Sequence, residues 1–188
     1  TTGQLVQEEN LSEDIFGEGI TIFDDQIYQV TYKSGRGFIY DRESFNMKEE
    51  FTYSTQTSEG WGLTHNDTSL ILSDGSSTLY FLDPQDQKVT RRLNVFDENG
   101  NVKLLNELEY IDARIFANIY TQPFIVELDA TSGQVINRYD ARGIVDQSEA
   151  NPDMDVLNGI AIHPMTQNLL VTGKYWSKIY EVKPIPAE

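Results

Sequence analysis

Four short stretches of similar sequence decide the fold. They are Gly17-Glu18-Gly19-Ile20, Gly60-Trp61-Gly62-Leu63, Leu105-Asn106-Glu107-Leu108 and Leu157-Asn158-Gly159-Ile160. The second residues of these motifs are 43, 45 and 52 positions apart. A motif that returns at such intervals is typical of repeat architectures, in which each unit is one small supersecondary structure. The sequence therefore predicts at least four related units.

Each motif is followed by short segments rich in β-branched and aromatic residues, with turn residues between them. The second segments are QIYQVTY (26–32), SLILSD (69–74), RIFANIY (114–120) and NLLVTGK (168–174). The third segments are GFIYD (37–41), LYFLD (79–83), FIVELD (124–129) and KIYEVK (178–183). A fourth segment follows in three units: MKEEFTY (47–53), KVTRRLNVF (88–96) and QVINRYD (134–140). Four short strands in each unit of about 45 residues predict an all-β propeller. A sandwich or barrel does not explain units that recur motif by motif.

The repeats also predict the domain limits. We expect a single propeller domain over residues 1–188, with its successive blades at 15–54, 55–98, 99–144 and 150–188. Thr1-Thr2-Gly3-Gln4 resembles Thr131-Ser132-Gly133-Gln134, so we interpret residues 1–14 as the end of a partial blade. An open ring leaves sheet edges and apolar faces bare. We therefore expect an N-terminal portion of about one repeat, missing from this chain, to close the ring.

The charge and hydropathy of the chain limit its partners. The formal net charge is −16, which argues against nucleic acid because phosphates require lysine and arginine. An acidic surface also suits a cationic ligand, such as the amino terminus of a peptide. No apolar run reaches the roughly 18 residues of a transmembrane helix, so we expect no membrane span.

Cysteine and histidine are scarce. The chain has no cysteine, which excludes disulfides, thiolate metal sites and cysteine nucleophiles. Its two histidines, His65 and His163, lie within the turn-forming stretches THNDTS and HPMTQN. We interpret both histidines as turn residues rather than catalysts.

The repeats bring one position of each motif to the channel, because the first strand of each propeller blade lines the axis. These positions are Glu18, Trp61, Asn106 and Asn158. A geometrically repeated position that varies among acid, aromatic and amide indicates an asymmetric ligand rather than a repeated packing problem.

A second set of residues is expected beside the first. Tyr32 lies fourteen residues after Glu18, and Tyr120 lies fourteen after Asn106. The matching places in the other two units are near Asp74 and Lys174. Together the two sets form a small polar pocket with apolar walls. The alternative is that Glu18 and Lys174 form a structural ion pair and the aromatic residues belong to the core.

Eight motifs occur in order between residues 15 and 183. They are FGEGIT (16–21), QVTYKSGRGFIYD (29–41), EGWGLT (59–64), SDGSSTLYFLDP (73–84), LNELEYI (105–111), ANIY (117–120), LNGIAIHP (157–164) and VTGKYWSKIYEV (171–182). In this order they resemble the plant and bacterial glutaminyl-peptide cyclotransferases. The resemblance implies a five-bladed β-propeller whose N-terminal blade is largely absent here. It also implies an exported enzyme, periplasmic or extracellular, with or without a membrane anchor in the missing N-terminus.

The resemblance also implies an activity and residue roles. The reaction closes the N-terminal glutamine of a peptide or protein into pyroglutamate and releases ammonia, without a metal or other cofactor. By motif, Glu18 is the acid/base, and Asn106 and Lys174 are the other polar catalytic residues. The implied substrate-binding residues are Phe16, Tyr32, Trp61, Tyr120 and Asn158.

The chain departs from the family pattern in three respects. Tyr32 and Tyr120 stand where the family often has tryptophan, and Thr121-Gln122-Pro123 replaces its usual continuation. The N-terminal HD…AFTQG segment, which contributes site residues in the family, is missing.

Two other functions remain open from the sequence. One is a propeller that has lost activity and serves as a binding or scaffold subunit of a larger assembly. The other is a propeller acting on a different small substrate, such as a lactonase with calcium held by Glu18, Asn106 and Asn158. Lys174 argues against the second, since an ammonium beside a dication is unfavourable.

Overall fold

The computed structural model describes residues 4–145 and 152–185, which form strands and turns. The first blade contains β1 (Gly17–Phe23), β2 (Gln26–Thr31), β3 (Arg36–Asp41) and β4 (Met47–Thr52). The second contains β5 (Leu63–His65), β6 (Leu70–Ser73), β7 (Thr78–Leu82) and β8 (Val89–Asn94). A two-stranded hairpin follows, made of β9 (Phe96–Asp97) and β10 (Gly100–Asn101). The third contains β11 (Leu105–Ile111), β12 (Arg114–Ile119), β13 (Phe124–Asp129) and β14 (Val135–Asp140). The fourth contains β15 (Leu157–Ile162), β16 (Leu169–Gly173) and β17 (Tyr180–Val182).

Each blade is an antiparallel meander in which neighbours in sequence are neighbours in the sheet. The first strands of successive blades, β1, β5, β11 and β15, contact one another in that order. The predicted propeller arrangement of four blades is confirmed. The hairpin formed by β9 and β10 was not predicted. The expected start of the last blade at residue 150 lies outside the described residues.

A β-bulge interrupts the first strand of three blades at the repeated motif. The strand register shifts between Gly17 and Ile20, between Leu105 and Leu108, and between Leu157 and Ile160. A bulge places two residues opposite one partner and re-aims their side chains. The second and third residues of each motif occupy the bulge. The local geometry, and not strand alternation alone, therefore sets which side chains reach the axis.

Two motif glycines allow neighbouring blades to approach each other. A Cβ added at Gly19 would lie 2.6 Å from the carbonyl oxygen of Trp61 in the next blade. A Cβ added at Gly62 would collide with the carbonyl oxygen of Asn106 in the blade after that. The obstacles are backbone atoms, which cannot rotate away. Glycine at these positions is therefore a condition for the close packing of β1, β5 and β11.

The hydrophobic core consists of layers between adjacent blades. Val30 and Leu70 are buried in the layer between the first two blades. Ile71 and Ile115 occupy the next layer, and Val171 the layer between the last two. Full burial of each such side chain contributes about 1.5–3 kcal/mol. Packing between blades thus stabilises the ring that positions the channel.

The segment before the first blade forms no strand within its described part, residues 4–14. Instead, Leu11 and Ile15 pack against Ile27, Phe38 and Tyr40 on the first blade. The sequence predicts that residues 1–14 end a partial blade. Residues 1–3 of that prediction lie outside the described residues, and in residues 4–14 apolar contacts take the place of strand pairing.

Within the described residues, we find no helix with the length and apolar character needed to traverse a bilayer.

Candidate active site

The ends of the second strands are held alike in three blades. Each makes the same backbone hydrogen bond to the segment before the motif: Tyr32 N to Phe16 O (2.9 Å), Tyr120 N to Leu104 O (2.8 Å) and Lys174 N to Val156 O (2.9 Å). Tyr32, Tyr120 and Lys174 are therefore structurally equivalent, as their spacing from the motifs predicted. The bond fixes each of them beside the bulge of its own blade.

One cavity of about 310 Å³ lies where these residues meet the motifs. Its lining consists of Phe16, Glu18, Tyr32, Trp61, Asn106, Tyr120 and Lys174. These are seven of the eight site residues that the family resemblance implies. The volume lies at the small end of the range of ligand pockets, about 300–1,000 Å³, and suits a single residue of a peptide.

Asn158, the eighth residue, is not part of that lining. It occupies the bulge of the last blade, half-buried, and its enclosed amide nitrogen has no hydrogen-bond partner within residues 4–145 and 152–185. The next residue, Gly159, donates its backbone N–H to Asn118 Oδ1 at 3.0 Å. The structure thus places Asn158 on the predicted strand but outside the cavity.

Glu18 is the half-buried carboxyl group of the cavity. Burial raises its pKa, the nearby Lys174 ammonium lowers it, and the Glu59 carboxylate raises it; burial has the largest effect, so the net pKa is above the usual value. Among the described residues, no direct ion pair joins Glu18 to Lys174. The structural ion pair considered above is therefore not formed, and the carboxylate is available to a ligand.

Aromatic rings wall the cavity on two sides. Trp61 and Tyr120 make an edge-to-face contact with ring centroids 5.4 Å apart. Lys174 Nζ lies 5.6 Å from the centre of the Tyr120 ring, within range of a cation–π attraction. Phe16, which is 66% exposed, meets the edge of Tyr32 at 6.4 Å and forms the rim.

The Trp61 ring is fixed in place. Its indole N–H donates to Glu59 Oε2 at 2.8 Å. Its benzene side lies against Gly75, where a Cβ would come within 2.6 Å of the ring. Gly75 has a φ of 77°, which also favours glycine. The wall is therefore preformed rather than assembled by a ligand.

Asn106 is 5% exposed, yet its Oδ1 has no hydrogen-bond partner among the described residues. Its backbone carbonyl accepts a hydrogen bond of 2.7 Å from Ser73 Oγ. A buried amide atom without a partner costs about 1–3 kcal/mol. Because Asn106 lines the cavity, a ligand there can satisfy the side-chain amide.

Asp74, which marks the equivalent place in the second blade, has a different role. It is fully buried, and its carboxylate accepts hydrogen bonds from Tyr80 Oη at 3.0 Å, Thr57 N at 3.2 Å and Ser76 N at 3.0 Å. It does not line the cavity. Asp74 anchors the loop that leads to Glu59 and Trp61, and so supports the wall from outside.

Sequence reasoning missed Glu107, which occupies the third motif position. The other three motifs have glycine there, at 19, 62 and 159. Burial and the Glu18 carboxylate raise the pKa of Glu107 to about 7, against the opposing effect of Lys174. The signal was present in the repeat: one carboxylate at a place where every other unit has no side chain.

The two histidines lie outside the cavity lining. His163 flanks a turn, as predicted, whereas His65 is the last residue of strand β5 and not a turn residue. His163 Nδ1 accepts backbone hydrogen bonds from Met165 and Thr166 and so closes a turn. His65 ends β5 and packs edge-to-face against Phe23, with ring centroids 5.2 Å apart.

Comparison with known proteins gives the family. The sequence model of the glutamine cyclotransferase family matches residues 1–184. A glutaminyl-peptide cyclotransferase of Arabidopsis thaliana is 35% identical over 186 residues, covering 97% of this chain and 57% of the Arabidopsis protein. This chain thus spans just over half the length of that curated relative.

Comparison with solved structures supports the same family. The crystal structure of Myxococcus xanthus glutaminyl cyclase matches with a TM-score of 0.84 at 30% identity, over 94% of this chain and 76% of that one. The computationally designed Ika4 protein matches with a TM-score of 0.54 at 11% identity, over 97% of this chain and 99% of that one, a likeness of fold alone. The chain belongs to the glutamine cyclotransferase family.

Proposed function

We propose that this protein converts the N-terminal glutamine of peptides or proteins into pyroglutamate, with release of ammonia. One observation carries the proposal. In a chain of this family, the Glu18 carboxylate, the Lys174 ammonium and the Asn106 amide converge on one small aromatic-walled cavity.

The chemistry needs proton transfer at two nitrogens. The α-amino nitrogen attacks the side-chain carboxamide carbon, a C–N bond forms, and the bond to the amide nitrogen breaks. The attacking nitrogen must lose protons and the leaving nitrogen must gain them. Glu18 is proposed as the group that takes a proton from the amine and returns it to the leaving nitrogen. Its raised pKa suits both steps, since an acid/base is most effective near the working pH.

Negative charge develops on the former amide oxygen when the amine attacks. Lys174 and Asn106 are the candidate donors to that oxygen, because both line the cavity beside Glu18. Loss of one such donor typically lowers the rate by about 10²–10³.

The aromatic walls hold the folded conformation that the intramolecular attack requires. Trp61, Tyr120, Tyr32 and Phe16 surround the cavity and limit the entry of water, a competing nucleophile. Tyr32 and Tyr120 retain aromatic faces where the family often has tryptophan, so the enclosure persists.

We also propose that the reaction proceeds without a metal ion. Lys174 faces the same cavity as Glu18 and Asn106, and its positive charge disfavours a calcium ion there. A fifth blade is likewise proposed to complete the ring. Ile20 (58% exposed) and Ile22 (46% exposed) leave apolar surface on β1 in support of it.

The test uses the full-length protein that the gene encodes. Ammonia release and the loss of 17 mass units, about one NH₃, are measured with a peptide that begins with glutamine and with the same peptide beginning with asparagine. We expect turnover of the first only, unchanged by a calcium chelator. Binding of the peptide without turnover would indicate the inactive scaffold, and turnover lost with chelator would contradict the metal-free reaction.

A further inference from the structure

The bulge at a repeated motif frees a backbone N–H from the strand ladder, and that N–H needs another acceptor. At the third motif position of the first two blades, Gly19 donates to a backbone carbonyl of the next blade and Gly62 to a serine hydroxyl of its own blade. Gly159, in the bulge of β15, donates instead to Asn118 Oδ1 at 3.0 Å. The fourth blade therefore takes this acceptor from a side chain of the third.

Asn118 is a fully buried polar residue on β12, with 0% of its surface exposed. Its Oδ1 accepts the Gly159 N–H, whereas its Nδ2 has no hydrogen-bond partner among the described residues. A half-satisfied amide is less favourable in a protein interior than an apolar side chain of the same shape. Packing alone therefore does not account for asparagine at this position.

The hydrogen bond joins two strand ends that meet at the cavity. Tyr120 lies two residues after Asn118, just beyond the end of β12, and lines the cavity. On the other side of the bond, a Cβ added to Gly159 would come within 2.8 Å of Thr172 Cγ2 on β16. Lys174 lies two residues after Thr172 and also lines the cavity. Asn118 and the bulge thus connect the strand ends from which Tyr120 and Lys174 extend.

Lys174 and Tyr120 contact each other across the same blade interface. The Lys174 Nζ lies 5.6 Å from the centre of the Tyr120 ring. Because a lysine side chain is long and flexible, such a contact fixes the ammonium only if the backbone at residue 174 is held relative to β12. The hydrogen bond from the β15 bulge to Asn118 supplies that restraint.

We propose that Asn118 is a positioning residue of this site, which holds the Lys174 ammonium beside Tyr120 through its hydrogen bond to the β15 bulge. The inference rests on the proposed function, in which Lys174 donates to the developing oxyanion. Such a donor acts only from a fixed place, since a misplacement of about 1 Å can lower the rate by about 10². Asn118 does not line the cavity, so it acts through Lys174 and not by contact with the substrate.

The first variant is Asn118→Leu, which removes the acceptor but nearly keeps the size of the side chain. Lys174 is then displaced rather than lost, so we expect kcat for a glutamine peptide to fall about tenfold, with KM within about twofold of native. In a Lys174→Met background the same substitution should lower kcat by no more than about twofold, because its effect passes through the ammonium. If Asn118→Leu does not fold, Asn118→Ser takes its place. The serine hydroxyl is too short to reach the Gly159 N–H, and we expect kcat to fall at least about threefold.

Glu109→Leu is the matched control. Glu109 on β11 accepts the Ile162 N–H at 2.9 Å, so this variant also removes a hydrogen bond between the third and fourth blades, at the far end of β15. Both variants should lower the melting temperature by several degrees, because each leaves a backbone N–H without an acceptor. Only the Asn118 variant should lower kcat.

The position of Lys174 can also be measured without turnover. Reductive methylation with isotope-labelled formaldehyde gives each lysine an NMR resonance, and Lys174→Arg identifies that of Lys174. We expect the Tyr120 ring to shift this resonance in the native protein, and the shift to shrink in Asn118→Leu but persist in Glu109→Leu.

An unchanged Lys174 resonance or an unchanged kcat in Asn118→Leu would overturn the inference. Equal losses of kcat in Asn118→Leu and Glu109→Leu, or a full further loss in the Lys174→Met background, would overturn it as well. A resonance that moves as expected, in a native protein that does not cyclise glutamine, would instead count against the proposed function alone.

Discussion

The indole N–H of Trp61 donates a 2.8 Å hydrogen bond to Glu59 Oε2, and the other carboxylate oxygen of Glu59 lies 3.8 Å from Lys33 Nζ. Lys33 in turn lies over the Tyr32 ring, with Nζ 4.6 Å from its centre. Glu59 thus connects the aromatic walls that the first and second blades contribute to the cavity.

Removal of this connection should weaken substrate binding more than it slows the chemical step. For Glu59→Ala we expect KM to rise about five- to tenfold, because the indole loses a charge-assisted hydrogen bond worth about 1.5 kcal/mol or less. We expect kcat to change less than threefold, since Glu59 does not line the cavity. Glu59→Gln, which keeps an acceptor for the indole, should recover most of the affinity. Steady-state kinetics of both variants check this, and a selective loss of kcat would contradict it.

The close approach of the inner strands predicts a large stability effect at Gly62. An added methyl group would collide with the Asn106 carbonyl, a backbone atom that cannot move aside. For Gly62→Ala we expect a loss of about 3 kcal/mol in the free energy of unfolding, or about 10 °C in the melting temperature. Gly35→Ala is the control, because a Cβ there meets nothing nearer than 3.4 Å and only its φ of 63° is unfavourable. Thermal unfolding should rank the losses in that order, and equal losses would refute the steric argument.

Much of this fold was predictable because the repeat is visible in the sequence. The segments QIYQVTY and FIVELD coincide with β2 and β13 to within one residue, since alternating β-branched and aromatic residues mark strands clearly. The hairpin of β9 and β10 was not predicted, because its two-residue strands are too short to show an alternating sequence pattern.

Comparison of the repeats predicted those site residues that occupy equivalent positions in successive blades. Spacing located Glu18 and Tyr120, whereas the bulge that turns a second motif residue toward the axis has no periodic signature. Glu107 was missed because only the second motif position was compared between units, although the third position is glycine in the other three units. Asn158 was predicted as a site residue only because it occupies the motif position equivalent to Glu18, Trp61 and Asn106. The first three blades supply most of the cavity lining, and the fourth blade contributes Lys174 to it.

The stability of the protein should depend on pH through Glu107. Its folded-state pKa of about 7 is above the ordinary value of 4.5, so the folded state binds this proton more tightly than the unfolded state does. The contribution of Glu107 is therefore fully present below about pH 4.5 and is lost as pH rises through 7. For Glu107→Gln we expect equal stability to native at pH 4.5 and a gain on the order of 2 kcal/mol at pH 8.

Urea unfolding at the two pH values measures that difference. Glu18 and Glu109 also have raised pKa values, so their ionisation also lowers the stability of the native protein as the pH rises. The comparison with Glu107→Gln isolates the one carboxyl. A variant that is less stable than native at pH 8 would show that the Glu107 charge is favourable in the free protein, contrary to the direction of its pKa shift.

The role of Glu18 as the acid/base is tested most directly by Glu18→Gln in the protein as encoded, with ammonia release from a glutamine peptide as the readout. The exposed Glu49→Gln on β4 serves as the matched control. We expect kcat to fall by at least about 10³ in Glu18→Gln with the fold intact by circular dichroism, and to stay at the native value in Glu49→Gln. Turnover within tenfold of native in a correctly folded Glu18→Gln protein would contradict the assignment.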